Sequence, residues 1–194
     1  MRRALLITLA AWLLAVAGAE AATPLDYTRS VLEQARMTVA GSQTHNEKLA
    51  ALSLIFGKFL DTDAMGRAAL GQHWSSFTPS QQKKFLALFH ELLQRTYVQK
   101  LLLFDNPQFV YVDQQSNGNS AIVDTKIVTP RDQFDVKYRL RPAGDTWLAT
   151  AISVEDVDLT ANLGSQLRDL LARMSVDDLL ALMQRKYGNA GRET

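Results

Sequence analysis

One helix with an unusually wide apolar surface constrains the fold of this chain more than any other feature. Residues 78–101, TPSQQKKFLALFHELLQRTYVQKL, begin with a helix-capping signature in which Thr78 precedes Pro79 and Gln81 follows three residues after Thr78. At about 100° per residue, the apolar side chains cover roughly half of the helix circumference, whereas a stripe of about 100° suffices for packing on one surface. These side chains are Phe85, Leu86, Leu88, Phe89, Leu92, Leu93 and Tyr97. Such a helix must be covered by protein on two sides, or by protein on one side and by a ligand on the other.

The first 21 residues have the pattern of a secretory signal peptide. Arg2 and Arg3 form a positive start, residues 4–17 form an apolar run too short for a stable membrane span, and small-residue cleavage patterns follow at 17–19 and 19–21. We predict cleavage after Ala21 and export to a bacterial periplasm, the alternative being an uncleaved membrane anchor. A lipid anchor is excluded because the sequence contains no cysteine to acylate.

The composition of the mature chain, residues 22–194, excludes some classes of partner. Removal of residues 1–21 takes away two arginines and one glutamate, which leaves a formal net charge of zero. No bulk electric field therefore draws the protein to nucleic acid or to an anionic membrane surface. An exported chain without cysteine has no disulfides, so its stability must come from a hydrophobic core, and its length suits a single domain.

The spacing of apolar residues predicts helices, then strands, then helices. The predicted helices cover 25–40, 47–60, a short stretch over 64–70, 79–101, 160–173 and a last segment from 176, and the predicted strands cover 108–114, 119–129, 132–141 and 146–158. Short turns between consecutive strands favour an antiparallel meander. The sequence therefore predicts an α+β domain with helices on one face of a four-stranded, mainly antiparallel sheet.

The third predicted strand indicates which face of the sheet meets the helices. Along residues 133–140 the side chains alternate strictly between apolar and polar. The apolar set is Phe134, Val136, Tyr138 and Leu140, and the polar set is Gln133, Asp135, Lys137 and Arg139. In a half-buried antiparallel strand the apolar set faces the core, so we expect the first set to lie under the helices and the second in solvent.

Few residues offer catalytic or metal-binding chemistry. The three histidines, His45, His73 and His90, do not pair at metal-ligand spacing, and the sequence contains no nucleophile elbow and no glycine-rich nucleotide-binding loop. The segment DTDAMG at 61–66 resembles the start of a calcium loop but lacks two of the oxygen ligands such a loop needs. Helix capping by Asp61 or Asp63 is the better interpretation. The sequence thus predicts no enzyme, metal or cofactor.

An ordered set of residues over 59–101 indicates a family. It consists of Asp61, Met65, Arg67, Leu70-Gly71, Trp74, Gln81-Gln82, Phe85, Phe89, Leu92, Leu93 and Thr96-Tyr97. With these residues the chain resembles the MlaC, or toluene-tolerance, family of periplasmic phospholipid-binding proteins, and the resemblance covers essentially the whole mature chain. The chain departs from the family after its last strand. Members often carry a bulky residue such as tyrosine, an arginine and a phenylalanine there, whereas this chain has Leu163, Gly164 and Leu167.

The resemblance implies a soluble, monomeric carrier that holds phospholipid by its acyl chains in a hydrophobic cavity between sheet and helices. It also implies transfer of lipid between an inner-membrane ABC transporter complex and an outer-membrane lipoprotein complex, which maintains outer-membrane lipid asymmetry. Together with the apolar row of the third strand, it predicts the residues that line the cavity. They are Phe85, Phe89, Leu92, Leu93, Tyr97, Leu101, Phe134, Val136, Tyr138 and Trp147.

Three other functions stay open at the level of sequence. The same fold could carry a hopanoid or another apolar lipid in place of phospholipid. The wide apolar surface of residues 78–101 could be ordinary core, in which case the protein is a periplasmic interaction module without a ligand. An enzyme that uses His90 is the third alternative.

Overall fold

The computed structural model describes residues 22–104 and 106–188. The predicted signal peptide, residues 1–21, lies outside the described residues. The helices are α1 (Pro24–Ala40), α2 (His45–Phe59), α3 (Thr62–Leu70), α4 (Pro79–Leu93), α5 (Gln99–Leu101), α6 (Leu159–Leu171) and α7 (Val176–Tyr187), with a 3₁₀ turn at Gly71–Ser76 between α3 and α4. Capping side chains set several of these starts. In α4, for example, the Thr78 hydroxyl accepts the Gln81 backbone N–H and the Gln81 side chain accepts the Thr78 backbone N–H, as the sequence predicts.

The sheet is an antiparallel meander of neighbouring strands in the order β1-β2-β3-β4-β5. Its strands are β1 (Gln108–Ser116), β2 (Ala121–Val128), β3 (Gln133–Ala143), β4 (Thr146–Val154) and β5 (Val157–Asp158). The α+β class is confirmed, but the predicted count of four strands is wrong because the predicted strand 146–158 is two strands. Glu155 and Asp156 have φ angles of 50° and 60°. This left-handed turn folds the short β5 back onto the end of β4.

The third strand has the predicted two faces. Val136, Tyr138 and Leu140 are buried and Phe134 is partly buried, whereas the four polar residues that alternate with them, Gln133, Asp135, Lys137 and Arg139, are exposed. The solvent face carries ion pairs between neighbouring strands, such as the 2.6 Å contact from Lys126 Nζ to Asp135 Oδ1. One face of the sheet is therefore available to pack against helices.

The predicted continuous helix over 79–101 is interrupted. Helix α4 ends at Leu93, a π-helical turn covers Gln94–Val98, and α5 follows at Gln99–Leu101. A π-helical turn widens the helix and changes the direction of the side chains after it. Leu92 and Leu93 belong to a hydrophobic cluster formed with other helices, whereas Val98 belongs to a cluster formed by α1, α2 and the sheet. Residues on the two sides of the π-helical turn therefore join two different cores.

Two hydrophobic clusters make up the interior. We call the first the sheet cluster; it lies between the sheet and α1 and α2, and includes Leu32, Phe59, Val98, Val123 and Leu140. We call the second the helical cluster; it is formed by α3, α4, α6 and α7, and includes Leu70, Phe77, Leu88, Leu167 and Leu179.

The segment after the last strand belongs to the helical cluster. Leu163 and Leu167 of α6 are buried there, and Gly164 faces α3. A Cβ atom on Gly164 would lie 2.6 Å from the Ala69 carbonyl oxygen, so only glycine permits this close approach of the two helices.

Candidate functional site

A cavity of about 500 Å³ opens at one end of the sheet cluster. The end of α1, the start of α2 and the chain that follows α5 surround it. Its lining residues are Val39, Ala40, Gln43, His45, Lys48, Leu102, Phe104 and Asn106. The volume lies within the range of about 300–1,000 Å³ that is usual for small-molecule sites. This cavity is the candidate site because it combines an apolar wall with a polar rim.

The polar rim of the cavity comes from the turn between α1 and α2 and the start of α2. Lys48 is partly buried, and its Nζ atom donates a 2.7 Å hydrogen bond to the Val39 carbonyl oxygen at the end of α1. The start of α2 is fixed by a capping box between Thr44 and Glu47, whose side-chain oxygen accepts the Thr44 backbone N–H at 2.9 Å. These bonds position His45 and Lys48 at the opening.

The apolar wall of the cavity leads into the sheet cluster. Leu102 and Phe104 are partly buried, and the Phe104 ring lies 5.8 Å, centroid to centroid, from the ring of Phe134 in β3. Leu101 and Phe134 are also only partly buried, although both pack against the buried members of the sheet cluster. The part of this cluster beside the cavity is therefore incompletely covered by protein.

Five of the ten predicted lipid-lining residues belong to the sheet cluster: Leu101, Phe134, Val136, Tyr138 and Trp147. Tyr138 lies in a dry environment, 5.6 Å from Phe59 by ring centroids, and burial raises the pKa of its phenol above the ordinary value. The indole of Trp147 donates a 3.0 Å hydrogen bond to the Ala22 carbonyl oxygen, and so holds the start of the predicted mature chain. None of the five is among the residues that line the cavity itself.

The other five predicted residues, Phe85, Phe89, Leu92, Leu93 and Tyr97, belong to the helical cluster. Phe85 and Phe89 are fully buried and stack on each other with ring centroids 5.6 Å apart, and Tyr97 is partly buried. In the described part of the chain, the structure does not bring these five residues and the sheet group into one cavity. Their role in lipid binding stays a prediction.

The residues that line the cavity were missed at the level of sequence. The turn GSQTHN reads as an ordinary polar loop, and Lys48 reads as one of the surface lysines of α2. One signal was present in the run LLLF at 101–104, which has neither helical nor strand periodicity. An apolar run with neither period indicates an irregular segment whose side chains pack on another apolar surface.

The groups considered for catalysis or metal binding have structural partners. Asp61 caps α3 by accepting the Ala64 N–H at 2.9 Å and accepts a 2.6 Å hydrogen bond from Arg141 Nε, as expected of a capping residue. The His90 Nε2 atom lies 2.7 Å from the side-chain amide nitrogen of Gln94. Among residues 22–104 and 106–188, no group of histidine, aspartate and glutamate side chains could hold a metal ion.

Two further features bear on the site. A second depression of about 210 Å³ lies on the sheet near Asp124, Lys126 and Asp135, and its lining is largely charged or polar. Within the described ranges, none of the helices has both the length and the apolar character needed to cross a membrane.

Comparison with known proteins gives two findings. The family model described as MlaC protein matches residues 26–185. Among solved structures, the chain matches a phospholipid-binding protein from Ralstonia solanacearum, determined in complex with a phospholipid. The two chains are 19% identical and superimpose with a TM-score of 0.75, and the match covers 84% of this chain and 96% of the other. At this identity the likeness establishes a shared fold.

Proposed function

This chain belongs to the MlaC family, and on that premise we propose that it is a phospholipid carrier that holds its cargo by the acyl chains. The phospholipid seen in the Ralstonia protein of the same fold supports this choice of cargo. Carriage of this kind needs a dry cavity and no reactive group, which agrees with the structural roles of Asp61 and His90.

The observation that carries the proposal is the cavity at the incompletely covered end of the sheet cluster. Each methylene group moved from water into an apolar site contributes about 0.8 kcal/mol. A tail of several methylene groups that covers Leu102, Phe104 and Phe134 would be bound by burial alone. The same tail would shield apolar side chains that are now partly exposed.

We place the acyl chains beneath Leu102 and Phe104, running toward Leu101 and Phe134. Val136 and Tyr138 lie deeper on the same face of β3, so they form the floor of this path. A lipid-lining role for the helical group, Phe85 to Tyr97, rests on the family resemblance alone.

We further propose that the protein works in the periplasm and passes lipid between membrane complexes. Its partners would be an inner-membrane ABC transporter complex and an outer-membrane lipoprotein complex, as the family resemblance implies. The signal-peptide pattern of residues 1–21 supports the location. Because the mature protein has a formal net charge of zero, it has no net electric field that would steer it to such complexes. Docking would therefore depend on local surfaces.

The proposal is tested by exporting the full chain to a bacterial periplasm and purifying it without detergent. We expect the mature protein to begin at Ala22, or at Glu20 if the earlier cleavage site is used, and mass spectrometry of its lipid extract to find phospholipid in stoichiometric amount. A hopanoid or another apolar lipid in place of phospholipid would replace the proposed cargo. A protein that carries no lipid, and takes none up from phospholipid vesicles, would refute the carrier function and favour an interaction module.

A further inference from the structure

The opening of the cavity differs chemically from its wall. The segment after α5 contributes Leu102, Phe104 and Asn106 to the lining, and the end of α1 with the start of α2 contributes Val39, Ala40, Gln43, His45 and Lys48. Three of the four polar side chains therefore come from the start of α2 and the turn before it, which favours one orientation of an amphipathic ligand. Its apolar part must point toward Phe134, and its polar part must remain at the start of α2. Among the described residues that line the cavity, Lys48 is the one lysine, arginine, aspartate or glutamate, and its charge is positive.

The position of Lys48 suits an anion. Its stem is partly buried beside Val39, and its Nζ atom uses one N–H to bind the Val39 carbonyl oxygen at 2.7 Å. An ammonium group has three N–H donors, so two remain for a ligand at the rim. The hydrogen bond fixes the ammonium at this place before any ligand arrives, which lowers the entropic cost of binding. His45 and Gln43, whose side chains can also donate hydrogen bonds, line the same cavity.

We propose that Lys48 binds the phosphate of the carried phospholipid, with His45 and Gln43 beside it, while the acyl chains run under Leu102 and Phe104. This inference rests on the proposed carrier function and adds an anchor for the headgroup. A hydrogen bond between a charged donor and a charged acceptor is shorter and stronger than a neutral one. Lys48 would therefore distinguish phospholipids from neutral lipids with the same tails.

The test compares two soluble lipids that differ only in the phosphate-containing headgroup. Delipidated protein is titrated in a calorimeter with dioctanoyl phosphatidylglycerol and with dioctanoylglycerol. We expect Lys48→Met to weaken binding of the first about tenfold, equal to about 1.4 kcal/mol, and to leave binding of the second unchanged. Lys48→Arg retains the charge and should restore most of the affinity. Lys58→Met is the matched control, because Lys58 lies on the same helix and is exposed away from the cavity.

The possible results separate the inference from the carrier function. If Lys48→Met leaves both affinities unchanged, or lowers both equally because the bond to Val39 is lost, the phosphate anchor is refuted while lipid carriage stands. If the wild-type protein binds neither lipid, the carrier function fails and the anchor fails with it. Inorganic phosphate titrated alone should bind far more weakly than the phospholipid. Binding of equal strength would show an anion site independent of lipid and overturn the proposal.

Discussion

Phe89 and Phe134 distinguish the two places in which this protein could hold a lipid tail. Both are predicted lipid contacts, but Phe89 is fully buried in the helical cluster and Phe134 is partly buried in the sheet cluster, in contact with Phe104. We expect Phe89→Ala to lower the free energy of unfolding and to leave the lipid content per folded molecule unchanged. We expect Phe134→Arg to remain folded and to lose its lipid.

The expected magnitudes follow from the burial of the two rings. Replacement of a fully buried phenylalanine by alanine costs about 3–5 kcal/mol, a large part of a typical total stability of about 5–15 kcal/mol. Phe134 is only partly buried, so the loss on substitution is about half of the ~1.5–3 kcal/mol that full burial contributes. In the lipid-free protein the arginine of the variant can extend its charge into solvent. In the loaded protein that cation would lie unpaired among acyl chains, which is strongly unfavourable.

Urea unfolding and the molar ratio of extracted phospholipid to folded protein measure the two effects separately. Phe134→Leu is the matched control, because it keeps an apolar side chain and should keep the lipid. A folded Phe89→Ala protein without lipid would refute the reasoning and place the tails in the helical cluster. A folded and fully loaded Phe134→Arg protein would remove Phe134 from the site. Leu93→Arg, at a position with 4% exposure, should unfold; a folded, lipid-free variant would show that Leu93 lines the lipid.

Three further predictions concern stability and are measured by urea unfolding. Gly164→Ala should destabilise by about 1–3 kcal/mol because its Cβ would lie 2.6 Å from the Ala69 carbonyl oxygen; unchanged stability would contradict this close approach. Asp61→Asn should lower the free energy of unfolding by about 1–2 kcal/mol because the charge opposite Arg141 is lost. Asp61→Ala should lower it by about 1 kcal/mol more because the cap of α3 is also lost. Burial raises the pKa of the Tyr138 phenol in the folded state. The neutral phenol therefore contributes fully to stability below about pH 10, the ordinary tyrosine pKa. This contribution is lost as the pH rises toward the folded-state pKa. Tyr138→Phe should therefore reduce the loss of stability between pH 8 and 11, and an unchanged loss would argue against this assignment.

The sequence predicts local features of this fold well because their causes are local. The capping box of Thr78 and Gln81 and the alternation from Gln133 to Leu140 depend on neighbouring residues, and the structure has both. The division of the last predicted strand at Glu155 was not predictable in this way. Neither Glu155 nor Asp156 is a glycine, and non-glycine residues with positive φ carry no reliable sequence signal.

The π-helical turn at Gln94–Val98 was not predicted, for a different reason. Apolar spacing gives the direction of a side chain around a helix axis, but it does not identify what lies opposite. Leu93 and Val98 look like members of one apolar surface, whereas the first belongs to the helical cluster and the second to the sheet cluster. Which core a residue joins depends on tertiary packing. The π-helical turn is the local change in helix geometry that lets residues before and after it join different cores.

The same limit applies to the wide apolar surface of α4, whose role in lipid binding stays a prediction. That surface needs cover on two sides, and other helices supply it: α3 approaches closely at Gly66, where a Cβ would lie 2.8 Å from the Leu86 side chain, and α7 packs along α4. Protein covers both sides of α4 itself, so its width alone gives no evidence for a lipid. Beside the cavity, partly covered apolar side chains lie at the end of α5 and in the segment after it, at Leu101, Leu102 and Phe104. A ligand that binds by burying its tail gains most where the protein leaves its own apolar side chains uncovered, and for this reason we propose the end of the sheet cluster as the lipid site.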